Sequence, residues 1–96
     1  MEFEWDEVKR RENLRKHSLD FLDVPTLFRG PMLARLDTRK DYGEPRWIGV
    51  GILESICVII AFTEHRDGEL IRIISMRKAL KHERKAFEKT IKDRLE

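Results

Sequence analysis

The chain is poor in cysteine, has no long apolar run and lacks paired metal ligands, and each shortage removes a class of protein. Its one cysteine, Cys57, lies inside an apolar run. No intramolecular disulfide can form, so a reducing cytoplasmic compartment is expected, with Cys57 as a small core residue rather than a nucleophile. The longest apolar stretch, Ile56 to Phe62, is much too short to cross a bilayer, and the acidic, aromatic start offers no signal peptide. The histidines His17, His65 and His82 stand in different elements without Cys-x-x-Cys or His-x-x-x-His spacing, so no metal is expected. Gly-x-x-x-x-Gly-Lys and Gly-x-Gly-x-x-Gly strings are absent, which removes the common phosphate loops and leaves no cofactor to expect. Gly49 and Gly51 fall inside a strand and read as points of close packing or a bulge.

What is present fits one domain over residues 1–96, since 96 residues and 11.5 kDa are well short of the length at which chains divide. A chain of this mass buries roughly 65% of its unfolded surface, enough for one modest core. Charge is abundant and nearly balanced, 20 Lys and Arg against 18 Asp and Glu, for a net +2. The balance hides a skew. Met1 to Glu64 carries ten basic against twelve acidic residues, whereas His65 to Glu96 carries ten against six. A basic last third fits a polyanionic partner better than the total does.

The pattern of elements predicts an α+β domain in the order β-α-α-β-β-β-β-α, with a small antiparallel sheet packed against helices. Glu2-Phe3-Glu4-Trp5 alternates as a short strand. Asp6 caps a helix over Glu7 to His17, with acid in its first turn and base in its last. Pro25 makes the next helix either short, from about Asp23, or distorted at its start. Met32 to Thr38 reads as a strand, Trp47 to Leu53 and Ile56 to Phe62 as a hairpin turning at Glu54-Ser55, and Leu70 to Ile74 as the last strand of the meander. From Met76 the spacing of Met76, Leu80, Phe87, Ile91 and Leu95 predicts a final helix capped by Ser75.

Arginine carries the chemical signal. Arg46, Arg66, Arg72 and Arg77 fall at strand ends, in a turn or in the expected first helical turn, where guanidinium forks match phosphate. Glu44 and Arg46, two apart across Pro45, share a face of extended chain, either as a surface ion pair or as a base beside a phosphate-binding group. Lys16-His17 ends the first helix, as capping charges or as a proton donor with a supporting cation.

The strings taken together resemble the BrnT family of bacterial toxins. Trp5-Asp6, Lys9, Asn13 and Lys16-His17 are similar to its opening motif. Asp37-x-Arg39-x-Asp41-Tyr42-Gly43-Glu44-x-Arg46 is similar to its middle motif, and Ile71-Arg72-Ile73-Ile74-Ser75-x-Arg77-Lys78-Ala79 with Glu83-Arg84 to its closing one. The resemblance runs from Phe3 to Phe87 and implies a RelE-like fold, a small twisted antiparallel sheet with helices on one side. It also implies a ribonuclease, of the mRNA interferase type, that inhibits translation. The implied partners are RNA and a BrnA-like antitoxin in a heterotetramer, with operator DNA reached only through the antitoxin and no membrane. Departures are Phe62 and Phe87, where many relatives carry tyrosine, so no phenol donates a proton at either place; Arg11 and Pro45 also replace the usual residues.

The site residues implied by the resemblance are Lys16, His17, Glu44, Arg46, Arg77 and Arg84, in a metal-independent cleavage by the 2′-hydroxyl. Glu44 or His17 serves as base, Arg77, Arg46 and Arg84 stabilise the phosphorane, and Lys16 or His17 is the acid. Arg72, in mid-strand, suits a structural role. The alternative is a non-catalytic module that binds RNA or protein through the same basic face, because phosphate-binding arginines look alike whether or not a bond breaks.

Overall fold

The computed structural model describes residues 1–95. Strand β1 (Glu2–Glu4) leads into helix α1 (Glu7–His17), a 3-10 turn (Phe21–Asp23) and helix α2 (Val24–Arg29). Strands β2 (Met32–Leu36), β3 (Trp47–Leu53), β4 (Ile56–His65) and β5 (Leu70–Lys78) follow, and helix α3 (Lys81–Leu95) ends the fold. The α+β class expected from the pattern is present, with five strands in one sheet ordered β1-β5-β4-β3-β2.

Local chemistry explains most boundaries. The Asp6 carboxylate accepts from the Val8 and Lys9 amides at 2.8 and 3.2 Å, and Ser18 closes α1 in the left-handed region at φ 57°. Pro25 permits helix only near its own N-terminus, so the segment enters α2 through the 3-10 turn that Asp20 caps. Glu54 and Ser55 both hold positive φ, 48° and 71°, the two-residue reversal whose twist matches the flanking strands.

Three expectations are corrected. The sheet is mixed, not antiparallel: β1 runs parallel to β5, pairing Glu2, Phe3 and Glu4 with Leu70, Ile71 and Arg72. No tight turn joins these two strands, and the intervening chain supplies the long crossover that a parallel pair requires. Second, helices lie on both faces of the sheet. α1 and α2 cover the main core, built on Phe21, Val24, Leu27, Ile60, Phe62 and Ile73. α3 lies against the opposite face, bordering Val50 and Ile59 and anchored by Phe87, its one buried side chain.

Third, Ser75 does not cap the final helix and Met76 and Arg77 are not in it, because β5 continues to Lys78. A bulge is the reason. Phe62 pairs with Ile73 but Ala61 pairs with Ser75, which leaves Ile74 as an extra residue. Since side chains alternate with period two, that insertion exchanges the faces of everything after it. Met76 turns into the core opposite Ile60 and is fully buried, whereas Ser75 and Arg77 turn to the α3 face beside Ala61 and Ile59. Helical spacing from Met76 to Leu80 is therefore a coincidence between a strand and the link that follows it, and Leu80 is exposed.

α1 is fastened to this irregular strand by a polar group. Its apolar residues Val8 and Leu14 are exposed, and Asn13 is its only buried side chain. Asn13 Nδ2 donates to the Leu19 carbonyl at 3.1 Å, and Asn13 Oδ1 accepts from the Met76 amide at 3.0 Å. β1 pairs only as far as Arg72, so Asn13 provides a partner for a β5 amide that β1 does not reach. Gly51 serves close packing, as read: an added Cβ would stand 2.8 Å from Leu27 Cδ1 of α2.

Candidate active site

The face of the sheet under α3 is only partly covered, and a cleft of about 620 Å³ runs between them. Leu33, Ile48, Val50, Ile59 and Ala61 form an apolar floor. Arg35 extends from β2, Arg39 from the β2–β3 loop, Ser75 and Arg77 from β5, His17 from the end of α1, and His82 and Glu83 from the start of α3. Four elements and one loop thus direct three guanidinium groups and two imidazoles to one concave surface, against a single carboxylate.

That carboxylate is already engaged. Glu83 accepts two hydrogen bonds from Arg77, at 2.8 and 2.9 Å, and a third from the Leu80 amide at 2.8 Å. The Arg77 hydrogen bonds, then the Leu80 amide, hold the Glu83 pKa down to about 2. Arg77 is shifted the opposite way by the same pair, while the charge of Arg39 is close enough to oppose it. Two like charges, each paired with a carboxylate of its own, thus line one cleft.

The pair also fastens α3, and the sign of its pH dependence follows. Glu83 is depressed in the folded chain relative to its ordinary 4.5, so its contribution is fully present above that value and is lost as pH falls toward about 2. The melting temperature of wild type therefore exceeds that of Glu83→Gln at about pH 6, and the two converge by about pH 2 in thermal scans followed by circular dichroism. A gap that stays constant over this range means that the latch contributes nothing to stability.

The loop carrying Arg39 is organised by a residue that composition did not single out. Asp37 has a side chain with 0% exposure. It accepts from Arg39 Nε and Nη2 at 2.9 and 2.8 Å, from the Arg39 amide at 3.1 Å and from the Tyr42 hydroxyl at 2.8 Å. Chiefly through the Arg39 side chain, its carboxyl is held well below the usual carboxylate range. Beyond it, Asp41 accepts from the Gly43 amide at 2.8 Å, and Gly43 takes φ 81°.

Of the residues singled out in the sequence, His17 and Arg77 meet in the cleft. Arg77 does so from a strand, not from a helix N-terminus, so no helix dipole assists it. Glu44 and Arg46 line a separate depression of about 430 Å³ made by the β2–β3 loop. They do not pair among the described residues; Arg46 instead stacks on Tyr42, its guanidinium carbon 3.8 Å from the ring centroid, with its buried Nε lacking a hydrogen-bond partner. Lys16 is exposed at the end of α1, outside both depressions. Arg84 points to Glu88 at 3.7 Å and lines neither. Arg72 pairs with Glu4 of β1 at 3.3 Å and lines neither depression. Phe62 lies in the core beneath the sheet, against Phe28, while Phe87 borders the cleft.

Sequence reasoning missed Arg35, Arg39, Ser75 and His82. Alternation along β2 puts Arg35 on the face of Leu33, a usable signal. The bulge hides Ser75, the irregular loop hides Arg39, and His82 lacks any metal-ligand spacing that would mark it in the sequence.

A search of the curated proteins gives no match. The family description "Ribonuclease toxin, BrnT, of type II toxin-antitoxin system" matches residues 5–83, from Trp5 through the Glu83 that holds Arg77, and the chain belongs to this family.

Proposed function

We propose that the cleft is where this ribonuclease toxin cuts RNA, and that it does so without a metal. The observation that carries the reading is the convergence of Arg35, Arg39 and Arg77 with His17 over an apolar floor. A single strand of RNA places a phosphate against guanidinium forks and a base on apolar surface, which is what such a cleft receives. Among the described residues, no three His, Cys, Asp or Glu side chains gather as a cation site. The charge that a metal would neutralise in other nucleases then falls to arginine.

In this reading the 2′-hydroxyl of RNA attacks the adjacent phosphorus. His17 takes its proton, and Arg77 and Arg39 stabilise the phosphorane. Lys16 and Arg84, next in sequence to cleft residues, hold the RNA backbone to either side, while Glu44 and Arg46 act only through the loop. The enzyme is an mRNA interferase of RelE-like fold, acting in the cytoplasm to inhibit translation. The antiparallel run β2 to β5 beneath α1 and α2 supports the fold assignment. A BrnA-like antitoxin neutralises it in a heterotetramer, and operator DNA is bound through that partner; among the described residues no helix is long and apolar enough to cross a membrane.

Induced expression of the chain alone in a bacterial host tests this. Growth and radiolabelled amino-acid incorporation stop within minutes, and co-expression of the antitoxin restores both. Unimpaired growth at a detectable protein level overturns the translation-inhibiting role.

A further inference from the structure

Only a few groups in the cleft can exchange a proton near neutrality. The titratable or charged side chains facing it are His17, Arg35, Arg39, Arg77, His82 and Glu83. Guanidinium groups stay protonated. Glu83 is committed to three hydrogen bonds and stays ionised. The Tyr42 hydroxyl donates to Asp37 and lies outside the cleft, and Phe87 stands where a phenol would have offered an alternative. What is left is a pair of histidines, His17 at the end of α1 and His82 in the first turn of α3. The third, His65, is occupied at 3.0 Å by Thr63 Oγ1 and lines neither depression. Both cleft histidines are exposed and neither makes a hydrogen bond or ion pair among the described residues, so both are available to substrate.

In-line displacement at phosphorus needs a base on the entering oxygen and an acid on the leaving oxygen, on opposite sides of the phosphate. Two imidazoles, His17 and His82, reach one cleft from different elements, with Arg39 and Arg77 lining it as well. Resting on the ribonuclease reading above, we infer that His82 is a second catalytic residue, the general acid that completes the reaction begun by His17. His17 accepts the 2′-hydroxyl proton as the bond from O2′ to phosphorus forms. The bond from phosphorus to O5′ breaks, and O5′ takes the proton of the His82 imidazolium. The products are a 2′,3′-cyclic phosphate and a 5′-hydroxyl, with His17 protonated and His82 neutral.

The test uses the full chain, an oligoribonucleotide, and uridine 3′-(4-nitrophenyl phosphate), whose leaving group departs without protonation. His82→Ala and His82→Gln should each cut the oligoribonucleotide about 10²-fold or more slowly than wild type, yet cleave the activated ester at nearly the wild-type rate. The bell-shaped pH profile of kcat/KM on RNA should lose its alkaline limb in both variants, while His17→Ala is slow on both substrates. Equal slowing of both substrates by the His82 variants, or full activity on RNA with the alkaline limb intact, overturns the role of His82. Those results leave the ribonuclease reading standing, which fails separately if wild type itself cuts no RNA.

Discussion

Arg77→Ala lowers kcat/KM for RNA cleavage about 10²- to 10³-fold, the loss seen when a fixed charge stabiliser is taken from a developing oxyanion. The expectation rests on position. The bulge at Ile74 turns Arg77 toward the α3 face, and Arg39 shares the cleft. Arg77 is also half of the latch to Glu83, with side chains 42% and 24% exposed, so Arg77→Ala lowers stability as well. Glu83→Gln separates the two effects. It weakens the latch at a cost of about 1–2 kcal/mol while leaving the guanidinium in place, so it melts earlier but retains or gains cleavage activity, because Glu83 no longer competes with phosphate for Arg77. If Glu83→Gln loses activity as deeply as Arg77→Ala, the guanidinium matters for holding α3 and not for binding phosphate. Steady-state kinetics on a short RNA, measured well below the melting temperature of each variant, distinguish the cases.

Asn13→Ala has the largest expected effect on stability. The substitution leaves the Met76 amide and the Leu19 carbonyl without their partner, in a site where Asn13 is 7% exposed. Each abandoned group costs about 1–2 kcal/mol, so the pair costs roughly 2–4 kcal/mol. For a domain of this size that corresponds to a fall in melting temperature of roughly 10–25 °C. Asn13→Asp retains the acceptor for Met76 but loses the donor to Leu19, and melts between the two. Because Asn13 joins α1 to β5 next to Ser75 and Arg77, its loss also frees the end of α1 that carries His17; activity should fall before the chain unfolds. A melting temperature within about 2 °C of wild type would mean that α1 is held by other contacts.

Much of the fold was legible because its signals are local. Asp6 opens α1 where capping chemistry places it, and Glu54-Ser55 turns the hairpin between two β-branched runs. Pro25 predicts a second helix that is short or distorted at its start, and α2 has six residues entered through a 3-10 turn. The parts that were not legible depend on partners distant in the chain. Parallel pairing of β1 is decided by β5, at the other end of the sequence. The bulge is decided by the fit of Ile73 and Met76 into the core on either side of it, and a helical pattern in residues 76–80 imitates what is three strand residues and two linking ones.

The candidate site was legible in the same uneven way. His17 and Arg77 were singled out and meet in the cleft. The middle motif was read for proton transfer through Glu44, yet its polar groups chiefly build the loop. Asp37 holds Arg39 and Tyr42, and Tyr42 carries Arg46, so the motif delivers Arg39 to the cleft rather than Glu44. Residue types in a string announce that a charged loop is important; only the burial of Asp37 reveals which charge is the hinge of the arrangement. The basic last third fared similarly. Arg77 and His82 reach the cleft from it, while Arg84 and Arg72 lie outside it, beside Glu88 and Glu4.

The central claim is that the groups lining one cleft break RNA by its own 2′-hydroxyl. The chemistry of the new ends tests it most directly. Purified chain incubated with a defined oligoribonucleotide in excess EDTA should yield fragments ending in 2′,3′-cyclic phosphate and beginning with 5′-hydroxyl, resolved by mass spectrometry, and a substrate with 2′-deoxyribose at the cut position should stay whole. Fragments with 5′-phosphate ends, or cleavage that appears only when a divalent cation is added, would contradict the account.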